Sequence, residues 1–295
     1  MTIVDAFTYR GLANASAAVA LSGDRFAVAD DERSVLTVFR RGVAEAVASL
    51  PLGEFLGLGD RTESDLEGAA AIDGSVYWIT SHGLGNDGRI DDARLRLFAT
   101  RIARSGKTDI LKPVGSPYRW LRDDLLAEPR LARYDFLAAA RSPPRQGGID
   151  IEGLASTPKG HLRLGFRSPL SKGLRGKALL VDIANPGAVI AGKERAVFGG
   201  IVKLDLGNRG IRSIESVKGG YVVAAGPVDR SGDFALYRWS GRSGDPPEPL
   251  EIDLGDLKPE ALFAAAGGKR LVVLSDDGRR EGADGKAFRS IEIEL

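Results

Sequence analysis

Pairs of charged residues two or three positions apart recur along the chain, each heading a short apolar run. They are Asp65 and Glu67, Asp150 and Glu152, Arg212 and Glu215, and Lys258 and Glu260. Each run passes a turn into a second apolar run, and most of these second runs end on further polar groups. Those ends carry Asp30, Asp31, Ser81, His82, Arg167, Asp276 and Asp277. Carboxylates gathered from several segments suit a hard divalent cation, calcium or magnesium, which takes oxygen ligands. Glu67, Glu152, Glu215 and Glu260 are therefore the candidate metal ligands. Guanidinium and ammonium groups among them offer donors to a phosphate or carboxylate. Ser81, His82, Arg167, Arg212 and Lys258 form the candidate ligand-binding set, with His82 and Arg167 as candidate catalytic groups. The second of the two histidines, His161, falls near the start of a strand, on the opposite face.

These residues act together only if a fold brings them to one face. The unit of apolar run, Gly-containing turn and apolar run occurs five times, with a degenerate first copy from Asn14 through Gly23 to Asp30-Asp31. Adding the outer runs gives four-stranded units at roughly 45 to 60 residue spacing, the pattern of an all-β, closed β-propeller with five blades. The expected blades cover residues 14–52, 65–113, 150–206, 211–254 and 259–295, in one domain of 295 residues. The last blade has only three strands, so residues 3–9 are expected to supply its fourth and close the ring, removing two open sheet edges. In blade four the outer strands are expected at 235–239 and 250–254.

One stretch departs from the repeat. Residues 118–141 place Trp120-Leu121, Leu125-Leu126, Leu131, Tyr134 and Phe136-Leu137 at mixed three- and four-residue steps, which reads as a helical insertion, about 115–147, between blades two and three. Pro129 is expected to split it. A sixth, decayed blade is the alternative for this span, although nothing in it alternates with strand periodicity.

In a propeller the start of each first strand and the end of each second strand share a face. That geometry gathers the charged groups around one axis. Four equivalent glutamates there repel one another by about 2 kcal/mol per pair at ~7 Å and an effective dielectric near ~20. Cations, arginine, hydrogen bonds or raised pKa values must relieve them. The simplest account has each glutamate accept backbone hydrogen bonds from the next blade, with no ligand at all.

Composition narrows the rest. A net charge of +1 gives no overall field for nucleic acid or an anionic membrane. The absence of cysteine excludes disulfides and thiolate chemistry. No signal peptide or long apolar span is visible, which suggests a soluble, cytoplasmic protein. Gly83-Leu84-Gly85-Asn86-Asp87-Gly88 lacks the following helix of a phosphate-binding loop and reads as a connection between strands.

Several motifs carry a family resemblance. Asp65-Leu66-Glu67-Gly68 with Ser81-His82, Asp150-Ile151-Glu152-Gly153-Leu154-Ala155 with Gly165-Phe166-Arg167-Ser168-Pro169-Leu170, Gly210-Ile211-Arg212-Ser213-Ile214-Glu215, and Leu236-Tyr237-Arg238-Trp239 resemble the bacterial domain of unknown function 3616. The Asp-x-Glu-Gly-Leu-Ala signature is more distantly similar to phytase-like esterase and SdiA-regulated propellers, some of which carry calcium. The first blade departs from the motif, with Asn14 and Ser16 at the charged positions. The resemblance implies a propeller and no established activity, so whether the protein is an enzyme stays open. The leading expectation is a propeller that binds a small polar or anionic ligand, with a divalent cation, at the channel mouth. The alternatives are a metal-assisted phosphate- or carboxylate-ester hydrolase using His82 and Arg167, and a scaffold whose insertion docks a protein.

Overall fold

The computed structural model describes residues 2–59, 62–105, 108–229, 232–265, 267–280 and 286–295. Five four-stranded sheets, each antiparallel, form the five blades. Blade one runs Ala15–Ala20, Arg25–Asp30, Arg33–Arg40 and Val43–Pro51 from the axis outward, and blade two runs Leu66–Ile72, Ser75–Thr80, Leu97–Ser105 and Thr108–Tyr118. Blade three is Asp150–Ser156, Leu162–Ser168, Ala178–Ile183 and Phe198–Leu204, and blade four is Gly210–Val217, Gly220–Gly226, Ala235–Trp239 and Glu248–Pro249. Blade five is Pro259–Ala264, Arg270–Ser275 and Ala287–Glu294, with Ile3–Arg10 as its outermost strand. The expected closure is what the chain adopts: Tyr9 pairs with Phe288 and Arg10 with Ala287 in an antiparallel ladder.

First strands of successive blades pack against one another, including those of blades five and one. Small residues permit this convergence. A Cβ on Gly68 would meet Leu154 Cβ at 2.8 Å, and one on Gly153 would meet Ile211 Cγ2 at 2.8 Å. Apolar side chains from facing blades fill the wedges further out, as in the cluster of Tyr9, Phe26, Phe39, Phe263 and Phe288 that joins blade five to blade one.

Two boundaries differ from expectation. The outer strand of blade four is only Glu248–Pro249, not 250–254. Pro246, Pro247 and Pro249 have no N–H to donate, so a longer ladder cannot form there. Leu250, Ile252 and Leu254 pack instead against the core of blades four and five. The last strand of blade two is eleven residues long and ends at Tyr118, so the insertion starts later than 115.

The insertion is helical, with an α-helix at Leu121–Ala127, a 3-10 turn at Pro129–Tyr134 and a short helix at Phe136–Ala139. Pro129 divides it by opening the 3-10 turn. Leu121, Leu125, Leu131, Tyr134 and Phe136 are buried with Ile149, Ile151, Phe166, Leu179 and Val181 of the adjoining segments and blades. Most of its apolar stripe is therefore consumed inside the protein, where the insertion seals the wedge between blades two and three, while Trp120 and Leu137 stay exposed. Arg122 fastens it, donating to the carbonyls of His82 and Ala140 at 2.6 Å each. Among the described residues, no helix is long and apolar enough to cross a membrane.

Candidate functional site: the mouth of the channel

The first strand of every blade carries a β-bulge at the same place, and the bulged residue is the one that bears the chemistry. Register slips by one residue between Ala15 and Ala17, Leu66 and Gly68, Ile151 and Gly153, Ile211 and Ser213, and Pro259 and Ala261. The unpaired residues are Ser16, Glu67, Glu152, Arg212 and Glu260. A bulge re-aims its extra side chain out of the regular ladder, and five of them build the ring at the mouth. Hydrogen bonds between blades hold the strand starts in place: Asp65 N–H donates to Asp31 O at 3.1 Å, Ile151 N–H to Ser81 O at 2.9 Å, and Asp277 N–H to Ala13 O at 3.0 Å.

The ring corrects the expectation of four equivalent glutamates. In blade four the ring position belongs to Arg212, not Glu215. Glu215 lies three residues further along the strand, where its Oε1 accepts from Ala264 N–H at 3.1 Å. Burial pushes its carboxyl up to about 7. It serves the joint between blades four and five, as the simplest account expected of every glutamate.

Arginine in the ring divides the mouth into two halves. On blades three to five the charges form one continuous chain. Arg167, the extra residue of a second bulge in blade three, reaches Asp150 Oδ2 at 2.5 Å and Glu152 Oε1 at 2.7 Å. Arg212 reaches Glu152 Oε2 at 2.8 Å through Nε and pairs with Glu260 Oε1 through Nη2. Glu152 is only 2% exposed, and burial raises its carboxyl while the two guanidinium groups pull it down. Both arginines thus face carboxylates, while the buried Nε of each makes no hydrogen bond among the described residues.

The half on blades one and two is acidic and poorly compensated. Ligand oxygens of Asp31, Asp65 and Glu67 all lie within 4.8 Å of one another. Arg94, which sequence reasoning missed, pairs with Asp65 Oδ2 at 3.0 Å and with Glu63 Oε1 at 2.6 Å. No ion pair with Asp31 or Glu67 occurs among the described residues. Asp31 Oδ1 is buried and has no hydrogen-bond partner among the described residues. Burial first, then the charges of Glu152, Asp65, Asp31 and Glu260, drives the Glu67 carboxyl well above its ordinary value. Asp31 is driven the same way by burial, Asp276, Asp65, Glu260 and Asp30. Burial likewise pushes Asp30 and Asp276 up to about 6, and Lys258 beside Asp276 draws it down only in part.

The remaining candidates lie elsewhere. Ser81 and His82 are fully buried, contrary to their expected place in a ligand-binding set. Ser81 Oγ accepts from Gly83 N–H at 3.2 Å. The His82 ring is fixed by Nδ1 against Thr80 O at 2.8 Å, and a carbonyl acceptor requires the proton on Nδ1. Its Nε2 has no partner among the described residues. Burial and then the charges of Arg122 and Arg96 lower the imidazole to about 4, so it is neutral at ordinary pH. Arg122 of the insertion holds the His82 carbonyl, and His82 is sealed from solvent. Asp277 is held by Arg289 at 2.8 Å, which makes it a fastening between strands of blade five.

Known structures agree with the fold. The chain is similar to the glutaminyl cyclase of Myxococcus xanthus, with a TM-score of 0.52 and 13% identity over 100% of this chain and 97% of that one. It is also similar to the exo-β-1,3-galactanase of Phanerochaete chrysosporium, with a TM-score of 0.51 and 8% identity over 99% of this chain and 64% of that one. At such identities the likeness is one of fold alone. No curated protein sequence matches the chain. Residues 116–252, which carry the insertion and blades three and four, match the family described as Protein of unknown function (DUF3616), the family that the motifs resemble.

Proposed function

We propose that the protein is a cation-binding propeller whose channel mouth holds a divalent cation, calcium in preference, between Asp31, Asp65 and Glu67. The observation that carries this reading is the convergence of three carboxylates around a buried Asp31 oxygen that no donor among the described residues satisfies. Buried, unpaired carboxylate is costly, and a cation with several oxygen ligands relieves it directly. An anionic ligand is less well supported, since Arg167 and Arg212 already face carboxylates. The hydrolase reading needs His82 at the mouth, and His82 is sealed.

Melting curves with calcium and with EDTA test the proposal. A carboxyl with a raised pKa keeps a proton that the unfolded chain releases. The stability it lends is full below its unfolded pKa and is lost as pH rises through its folded value. Glu67 and Asp31, both strongly raised by burial and neighbouring carboxylates, make the metal-free protein less stable as pH climbs above the ordinary carboxylate range; Glu215, raised to about 7, adds to the fall up to that pH. His82, lowered to about 4, opposes this trend only between that value and the ordinary imidazole range, and not above it. Calcium at a hundred times its dissociation constant should restore about 2.7 kcal/mol, and the gain should grow with pH as fewer protons compete. Identical curves with calcium and EDTA at every pH would instead mean that the mouth carboxyls are relieved by protonation alone.

A further inference from the structure

On the face opposite the mouth, where blade five meets blade one, lies a depression of about 290 Å³ lined by Arg41, Ala265, Gly267, Lys269 and Arg270. Arg41 comes from the outer hairpin of blade one, while Lys269 and Arg270 lead into the second strand of blade five. One buried carboxylate serves both arginines. Glu292 accepts from Arg41 Nη1 at 3.1 Å and from Arg270 Nη1 at 3.2 Å. Arg41 Nη1 also reaches Glu292 Oε2 at 3.4 Å, and neither guanidinium bonds to any side chain but Glu292 among the described residues, so Nε and Nη2 of each stay available. Lys269 makes no ion pair among the described residues. Glu294 stands opposite Arg270 in the ladder but forms no ion pair with it among the described residues. Three cations around one carboxylate leave a concave, positive site, and Gly267 presents backbone without a side chain at its wall.

We propose that this depression is a binding site for a phosphate group. Guanidinium nitrogens with spare donors match phosphate oxygens in geometry, and an ammonium adds a point charge from a third side. A dianion matches the excess of cations over Glu292. The placement also predicts a consequence. A phosphate that joins Arg41 to Lys269 and Arg270 clamps blade one to blade five at the seam where the ring closes. Binding should therefore raise the melting temperature, independently of any cation at the mouth.

The test uses the full chain in EDTA, with inorganic phosphate compared against sodium chloride at equal ionic strength. The expected result is a phosphate-specific rise in melting temperature for the wild type. Lys269→Ala and Lys269→Glu should melt normally in chloride, because the Lys269 ammonium makes no ion pair among the described residues. Both should bind phosphate about tenfold more weakly or worse, as loss of one charged contact implies. A second arm measures sedimentation with phosphatidic acid vesicles. Vesicle binding that depends on Lys269, without a response to free phosphate, would assign the phosphate to a lipid headgroup. No response in either arm, or an undiminished phosphate shift in both Lys269 variants, would overturn the proposal.

Discussion

Removal of residues 1–10 is expected to cost roughly 5 kcal/mol or more, enough to unfold most domains of ordinary stability. The segment supplies the outer strand of blade five, paired with Ala287–Glu294 from Ile3 to Arg10. It also supplies Tyr9, which is 2% exposed and sits 5.1 Å from Phe26, 5.4 Å from Phe39 and 5.1 Å from Phe288 between ring centroids. Truncating one such buried ring costs about 3–5 kcal/mol, so Tyr9→Ala should reproduce much of the loss. The shortened chain would also present the bare edge of Ala287–Glu294, a template for pairing with another molecule. Urea unfolding with light scattering reads both effects. A truncated protein that unfolds at the wild-type midpoint and stays monomeric would refute closure by this strand.

Arg212→Ala carries the second large effect, a loss of about 3–5 kcal/mol, because two buried carboxylates lose their shared partner at once. Glu152 and Glu260, 2% and 9% exposed, both depend on that guanidinium. Glu152 keeps Arg167, so Glu260 bears most of the deficit. Converting Glu152 and Glu260 to glutamine in the same chain should recover part of the loss, since residues in one network do not add. Denaturant midpoints of the two variants against the wild type decide it. If Arg212→Ala alone were as stable as the wild type, the arginine would not be neutralising the ring, and a ligand-binding role would return to consideration.

The fold was legible because each blade repeats the same local sentence, and because a three-stranded last blade leaves one strand to find. The site was legible only in part. Ile211-Arg212-Ser213 and Ile214-Glu215-Ser216 look alike, each a polar residue between an apolar and a small one, and the glutamate was the tempting match. Distance to the turn glycine separates them. Ser16, Glu67, Arg212 and Glu260 each stand seven residues before Gly23, Gly74, Gly219 and Gly267, while Glu215 stands four before Gly219. That spacing marks the bulge in four blades, Glu152 standing eight before Gly160 in blade three, and the bulge decides which side chain enters the mouth. His82 could not be placed this way. Its burial depends on an insertion some forty residues later and on Arg122, a long-range contact with no local signature. Arg94 was missed for a similar reason, since it reaches Asp65 from the connection that leads into the third strand of blade two.

The central claim, a divalent cation between Asp31, Asp65 and Glu67, is tested most directly by calorimetric titration of calcium into metal-free protein at pH 8. The account predicts one cation per chain, with release of any protons still held by the raised Glu67 and Asp31 carboxyls. It also predicts that Asp31→Asn and Glu67→Gln each abolish the signal while the protein stays folded. Absence of binding by the wild type at that pH, or binding that survives both substitutions, would contradict it.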